Sequence, residues 1–372
     1  MFHPRFTYRA LAITLAAAFA VSAAAVTFVT AQDQPAIRPR RTDDPQQQPT
    51  ATPKPTPKGQ QGAEITEDEV VRVETNLTNI LFTAADKNRR FITDLQRGDI
   101  RVSEDGQPQE IFTFAHQVDL PLSLAILIDV SASEERTLPV EKDAAKAFVD
   151  TVIRPDKDEA AIVSFTGEAT LEQGLTGNVA RARRALDRVE FVPPSGYIGH
   201  GQVAGGTPPI SGTNQGIAGS TAIWDAIWVV SDEVLTQTSD KTRRAIILMT
   251  DGEDTSSKKH WPEAVDRAIK ADAVIYAVGI GDQYFGGVNE GILRKVTEKT
   301  GGRAFFPRNQ TDLRVAFEQI QQELRSQYLV AYSSTNKARD GSYRKVTIDL
   351  VNPDLRSRNL RLTYRQGYFA KN

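Results

Sequence analysis

Two carboxylates and three hydroxyls stand where buried strands of this chain should end. Asp129 closes the apolar run "LSLAILID", and Ser131 and Ser133 follow it at alternate positions in "DVSASEE". Thr221 comes just ahead of "AIWDAI", and Asp251 follows "AIILMT". All five side chains offer oxygen, and an all-oxygen set suits a hard divalent cation. With few carboxylates and neutral hydroxyls, the expected ion is Mg2+ or Mn2+ with some waters retained, rather than a caged calcium. The bland reading is helix capping, since Ser and Thr are good caps and helical patterns follow both stretches. Capping gives no reason for Asp129 and Asp251 to close two buried strands.

Positioning these groups requires a sheet whose strands end together. From Leu122 to about Arg325, apolar strands alternate with segments of helical periodicity. The strands are "LSLAILID", "EAAIVSF", "RAIILMTD", "AVIYAVGI" and the short "RAFFP". The helices are "VEKDAAKAFVDTVI", "VARARRALDRV", "TAIWDAIWVVSDEVL", "WPEAVDRAIKA", "NEGILRKVTEKT" and "DLRVAFEQIQQEL". Strands that are apolar on both faces and alternate with helices imply a doubly wound, mostly parallel, Rossmann-like α/β sheet covered on both sides. Ligands of such sheets bind beyond the carboxyl ends of the strands, which is where Asp129 and Asp251 stand.

Asp-x-Ser-x-Ser after the first strand, a Thr in the second loop and Asp-Gly in the third together resemble the metal-ion-dependent adhesion site (MIDAS) of von Willebrand factor type A domains. The resemblance runs from about Leu122 to Leu324. It implies that Ser131, Ser133 and Thr221 ligate the metal directly or nearly so, that Asp129 and Asp251 act directly or through water, and that an acidic side chain of a partner protein completes the coordination. Glu134, Ser220, Gly252 and Glu253 are the expected partner-binding residues at the rim. Two departures stand out: Ala132 where Gly is common, and Glu134 where an apolar residue is usual, which sets Glu134 in competition with an incoming carboxylate.

The flanks read differently. "VVRVETNL" and "DIRVSEDGQPQEIFTF" before the α/β region, and "SYRKVTIDL" and "NLRLTYRQGYF" after it, alternate polar and apolar residues in the manner of half-buried strands. Each flank is too short for its own core. The simplest expectation is one β-sandwich-like module, residues 69–117 and 327–372, with the α/β domain of residues 118–326 inserted between its halves; separate hairpins packed on that domain are the alternative. These flanks, with the site, also resemble the exported bacterial proteins described as acidobacterial von Willebrand factor A-related.

Residues 1–31 read as a secretory signal, Arg5 and Arg9 preceding an Ala-rich stretch that ends in Val29-Thr30-Ala31. An uncleaved membrane anchor is the alternative, so a membrane partner is expected only in that case. Residues 32–68 are rich in Pro and Gln and read as a disordered spacer. The chain has no cysteine, which removes disulfides, thiol nucleophiles and Cys-based zinc sites together. Its 45 basic residues nearly balance 47 acidic ones over 372 residues, so no bulk field favours nucleic acid. Between residues 193 and 219 lies a loop rich in Gly and Pro that leads into Thr221, and loops of that length are often functional.

Three function classes follow. The first is an exported, non-enzymatic, metal-dependent binding module for adhesion or complex assembly, periplasmic, at the cell surface or secreted. The second is a metal-assisted hydrolase, which needs a base such as His200 or His260; position 131 is Ser where aspartyl-phosphate chemistry would favour a second Asp. The third is a scaffold whose site is structural or empty.

Overall fold

A computed structural model of the chain describes residues 77–116, 119–193, 197–199, 202–203, 220–239, 241–281 and 287–371. The signal and spacer segments, most of "VVRVETNL" and nearly all of the 193–219 loop lie outside these residues. The strands are β1 (Leu77–Ala85), β2 (Ile100–Glu104), β3 (Gln107–Gln109), β4 (Ile111–His116), β5 (Leu122–Asp129), β6 (Glu159–Phe165), β7 (Ala169–Thr176), β8 (Tyr197–Gly199), β9 (Gln202–Val203), β10 (Arg243–Thr250), β11 (Ala273–Gly279), β12 (Ala304–Phe305), β13 (Tyr328–Ser333), β14 (Tyr343–Leu350), β15 (Arg361–Tyr364) and β16 (Gly367–Phe369). The helices are α1 (Leu138–Val152), α2 (Val179–Arg188), α3 (Ile223–Val229), α4 (Trp261–Lys270), α5 (Glu290–Thr300), α6 (Gln310–Arg325) and α7 (Pro353–Ser357).

Six strands form the central sheet in the order β12-β11-β10-β5-β6-β7. All neighbours run parallel except β6 and β7. Every residue of β5 is buried, because alternate side chains enter two separate cores. Leu124, Ile126 and Ile128 pack with Phe148 of α1, Leu186 of α2 and Phe317 of α6. Ala125 and Leu127 pack with Ile227 of α3, Val265 of α4 and Leu293 of α5. The chain leaves β5 for β6 on one side and reaches β10 on the other. The crevice between β5 and β10 is therefore the switch point where doubly wound sheets place their sites. Register does the rest. Ile128 faces Met249 and Asp129 faces Phe165, so Asp129 emerges level with Thr250 and with the end of β6.

The flanks build two four-stranded sheets, β15-β1-β13-β4 and β16-β14-β2-β3. Ile80 and Phe82 of β1, Val102 of β2, Tyr328, Val330 and Tyr332 of β13, and Val346 and Ile348 of β14 share one core. This is the sandwich-like module made jointly by both flanks, and it replaces the alternative of separate hairpins. The β2–β3 turn has Asp105 at φ 47 and Gly106 at φ 81, the left-handed pair that a tight hairpin needs. No helix among the described residues is long and apolar enough to cross a membrane.

Candidate metal centre

Asp129 is fully buried at the carboxyl end of β5. The Ser131 amide donates to its Oδ1 at 3.0 Å and the Thr250 hydroxyl to its Oδ2 at 2.6 Å. Burial pushes this carboxyl up to about 7; hydrogen bonds from Ser131 and Thr250 pull the other way, and the charge of Asp251 adds to the rise. The Ser131 and Ser133 hydroxyl oxygens stand 3.2 Å apart, and Ser133 hydrogen-bonds the Asp251 carboxyl. Asp251 is raised as well, again mainly by burial, with the Glu253 amide donating to its Oδ1 at 2.9 Å. Four of the five expected ligands thus form one hydrogen-bonded group.

Thr221 is buried and held through its backbone. Its carbonyl accepts from the Thr255 and Ser256 amides at 2.9 and 3.0 Å, and the next amide, Ala222, donates to Thr166 O at 2.6 Å. The Thr221 amide meets Thr255 Oγ1 at 2.8 Å. Thr221 is therefore seated between the loop after β6 and the loop after β10, the two that bracket Asp129.

The hydroxyls are not spent on capping. Ser131 opens a short 3-10 turn and Thr137 opens α1, neither with a side-chain cap bond, and the residue before α3 is Ala222. What caps α3 comes from elsewhere: Asp254 Oδ1 accepts from the Ile223 amide at 2.8 Å and from Ser257 Oγ at 2.5 Å. Neither Asp254 nor Thr250 was singled out in the sequence, although they flank Asp251, Gly252 and Glu253 on either side.

The rim residues divide. Glu253 is exposed and Ser220 half-buried. Gly252 is buried at φ 85, where an added Cβ would stand 3.0 Å from Leu293 Cγ, so the turn after Asp251 depends on a glycine there. Glu134 needs the larger correction, because it is fully buried. The chain turns into α1 directly after the serines and carries Glu134 inward. Its Oε2 accepts from Thr137 Oγ1 at 2.5 Å. Beneath it Glu141 is buried too, a residue the sequence reading passed over. The signal was present: Glu141 sits in the stripe of Ala144, Ala145, Phe148 and Val152 that faces the sheet, where a charge is out of pattern. Burial holds the Glu134 carboxyl well above its ordinary range, with Glu141 and Asp129 adding to the effect. Burial also takes Glu141 up to about 7.

Residues 124–253 and residues 210–323 match two family models, each described as a von Willebrand factor type A domain. The chain contains a von Willebrand factor type A domain. No curated protein matches the sequence. Among solved structures, proximal thread matrix protein 1 of the mussel byssus aligns at 22% identity and TM-score 0.44, over 60% of this chain and 51% of that one. This chain thus spans about half the length of the mussel protein, one form of which is described with a zinc-occupied MIDAS motif. BatB from Bacteroides thetaiotaomicron aligns at 18% identity and TM-score 0.41, over 55% of this chain and all of that one. A von Willebrand factor type A protein from Catenulispora acidiphila aligns at 15% identity and TM-score 0.43, over 76% and 75% of the two chains.

The type A domain's own residues fit a divalent cation. One carboxylate oxygen from each of Asp129, Glu134 and Asp251 lies within 4.8 Å of the other two. Ligands sharing an octahedral Mg2+ at about 2.1 Å stand roughly 3 to 4.2 Å apart, so a small contraction brings these oxygens onto one ion. The largest influences on Asp129, Glu134 and Glu141 include no cationic side chain. Ionised carboxylates gathered out of water are strongly unfavourable without a counter-charge. Of the histidines in the hydrolase reading, His260 forms a capping box with Glu263 at the start of α4, and His200 lies outside the described residues.

Proposed function

We propose that the type A domain binds Mg2+ or Mn2+ through Asp129, Ser131, Ser133, Thr221 and Asp251, and that the ion captures an acidic side chain of a protein partner. Glu253 and Ser220 border the approach. The observation that carries this reading is the use of the two serine hydroxyls: they face each other and Asp251, while the 3-10 turn and α1 that follow them take no side-chain cap. Oxygen donors gathered at the switch point of a sheet and spared from structural duty are arranged for a ligand. The module acts as a non-enzymatic binder in adhesion or complex assembly. The N-terminal segment supports an exported location, and the likeness to exported acidobacterial proteins of this type belongs to the same reading.

Calorimetry on the metal-free chain should show one Mn2+ site that Asp129→Ala abolishes. Capture of a partner from an envelope extract should be lost in EDTA and with Asp129→Ala. Equal capture with and without chelator would refute the proposal, and turnover of phosphate or ester substrates abolished by His260→Ala would favour the hydrolase.

A further inference from the structure

Glu134 is the acidic group that the proposed ligand set does not use, yet it points into the same site. It is fully buried, and one of its oxygens lies within 4.8 Å of oxygens of both Asp129 and Asp251. The Thr137 hydroxyl stands 2.5 Å from Oε2 and 3.2 Å from the Glu134 carbonyl oxygen, which folds the side chain back over its own turn. Oε1 is buried and meets no hydroxyl, amide or cationic donor among the described residues; the side chain's other neighbour is the Glu141 carboxyl, itself buried and raised. Asp129, by contrast, has a donor on each oxygen. With no cationic side chain beside them, buried carboxyls of this kind hold their protons until a cation meets them and takes the protons' place.

We propose that Glu134 is an in-chain ligand of the metal, occupying the coordination position that a partner's carboxylate would take. The inference rests on the metal-binding reading above and adds a regulatory step to it. With Glu134 bound, three carboxylates already surround a dication, and a fourth from a partner would meet net negative charge at close range. Partner binding is then an exchange: the incoming carboxylate displaces Glu134, and no position stands open beforehand. A neutral glutamine at 134 keeps the shape but coordinates weakly, so it leaves a position that water or a small carboxylate fills.

The test uses the full chain stripped of metal, with Mn2+ as the probe. Water-proton relaxation at saturating Mn2+ counts the exchangeable waters on the ion, and titration gives its affinity. Glu134→Gln is expected to weaken Mn2+ binding about tenfold or more, in the range seen when a group supporting a metal is removed, and to add one exchangeable water. Acetate, the smallest stand-in for a partner's carboxylate, should bind the Mn2+ complex of Glu134→Gln at least tenfold more tightly than that of the unmodified chain. Glu134→Asp keeps the charge and withdraws the oxygen by one methylene. It should also gain the water, which a purely electrostatic role for Glu134 would not produce, and it serves if the glutamine variant does not fold. Unchanged hydration and acetate affinity in a folded variant would overturn the inference while leaving the metal site standing. Failure of the unmodified chain to bind Mn2+ at all would overturn both.

Discussion

Thr250 fixes the orientation of the Asp129 carboxyl, and under the proposed function it sets how that group would meet a cation. Its hydroxyl donates to Oδ2 at 2.6 Å while the Ser131 amide holds Oδ1, so the carboxylate plane is fixed between two strand ends. Groups that orient a metal ligand typically account for 10- to 100-fold in affinity. Thr250→Val preserves shape and removes the donor. It should weaken Mn2+ binding by about that factor in a calorimetric titration, and lower stability by about 1 to 3 kcal/mol through the buried oxygen left unpaired. Wild-type affinity in this variant would show that backbone alone aims Asp129. The cluster at the strand ends was legible in the sequence because carboxylates and hydroxyls right after apolar runs contradict burial and so advertise themselves. Glu134 was legible as an anomaly but not in its placement: an acidic residue following "DVSAS" reads as water-facing unless one knows that the chain turns inward there. Glu141 was hidden because a single Glu in an otherwise apolar helix face is easily assigned to the wet side.

At the scale of elements, β5 is anchored at its far end as well. Asp158, just ahead of β6, accepts from the Leu122 amide at 3.0 Å and from Arg154 Nε at 2.6 Å, which fixes where β5 starts and hence where Asp129 emerges. Burial alone would raise this carboxyl; Arg154 and the backbone amides of Arg154 and Leu122 more than reverse that and hold it below its ordinary 3.8. A folded-state value below the unfolded one means that the contribution to stability is present above about pH 4 and is lost as pH falls through the folded value. Asp158→Asn should therefore unfold at lower urea than the unmodified chain at pH 6, by about 1 to 3 kcal/mol, and the gap should narrow towards pH 2.5. A gap that stayed constant would assign the effect to packing rather than charge. The helices and parallel strands were legible because their periodicity is enforced by two buried faces. β7 was not: it is a half-exposed antiparallel edge with Gly174 inside it and register shifts against β6, so neither alternation nor a continuous apolar run marks it. α3 was read as one long helix, but its continuation widens into a π turn through Val230–Val234 and tightens into a 3-10 turn through Leu235–Gln237.

Across the whole molecule, the sandwich-like module and the type A domain are joined closely enough to unfold together. The described residues of both parts fall in one compact unit. Gly301, at φ 86 after α5, lies so near β15 that an added Cβ would stand 2.3 Å from the Arg365 amide. Arg365 itself pairs with Asp272 of the α/β part and donates to Asn79 O of β1 at 2.7 Å. Within the sandwich, Glu104 is buried and accepts from Tyr332 and Tyr368 hydroxyls at 2.9 and 2.8 Å and from Ser334 at 2.5 Å, with Arg344 at 3.4 Å. One carboxylate thus ties the N-terminal flank to strands that follow the inserted domain. Glu104→Ala leaves the buried Arg344 guanidinium without its counter-charge, a change of about 3 to 5 kcal/mol. Because the two parts share their contacts, calorimetric unfolding should show a single transition moved to lower temperature, while Mn2+ affinity of the folded fraction stays unchanged. Mn2+ at about 100 times its dissociation constant should restore about 2.7 kcal/mol by binding the folded state alone, and it should shift that same single transition although the site and Glu104 lie in different modules. Two separate transitions, only one of them responsive to Mn2+, would show instead that the sandwich is an independent carrier for the type A domain.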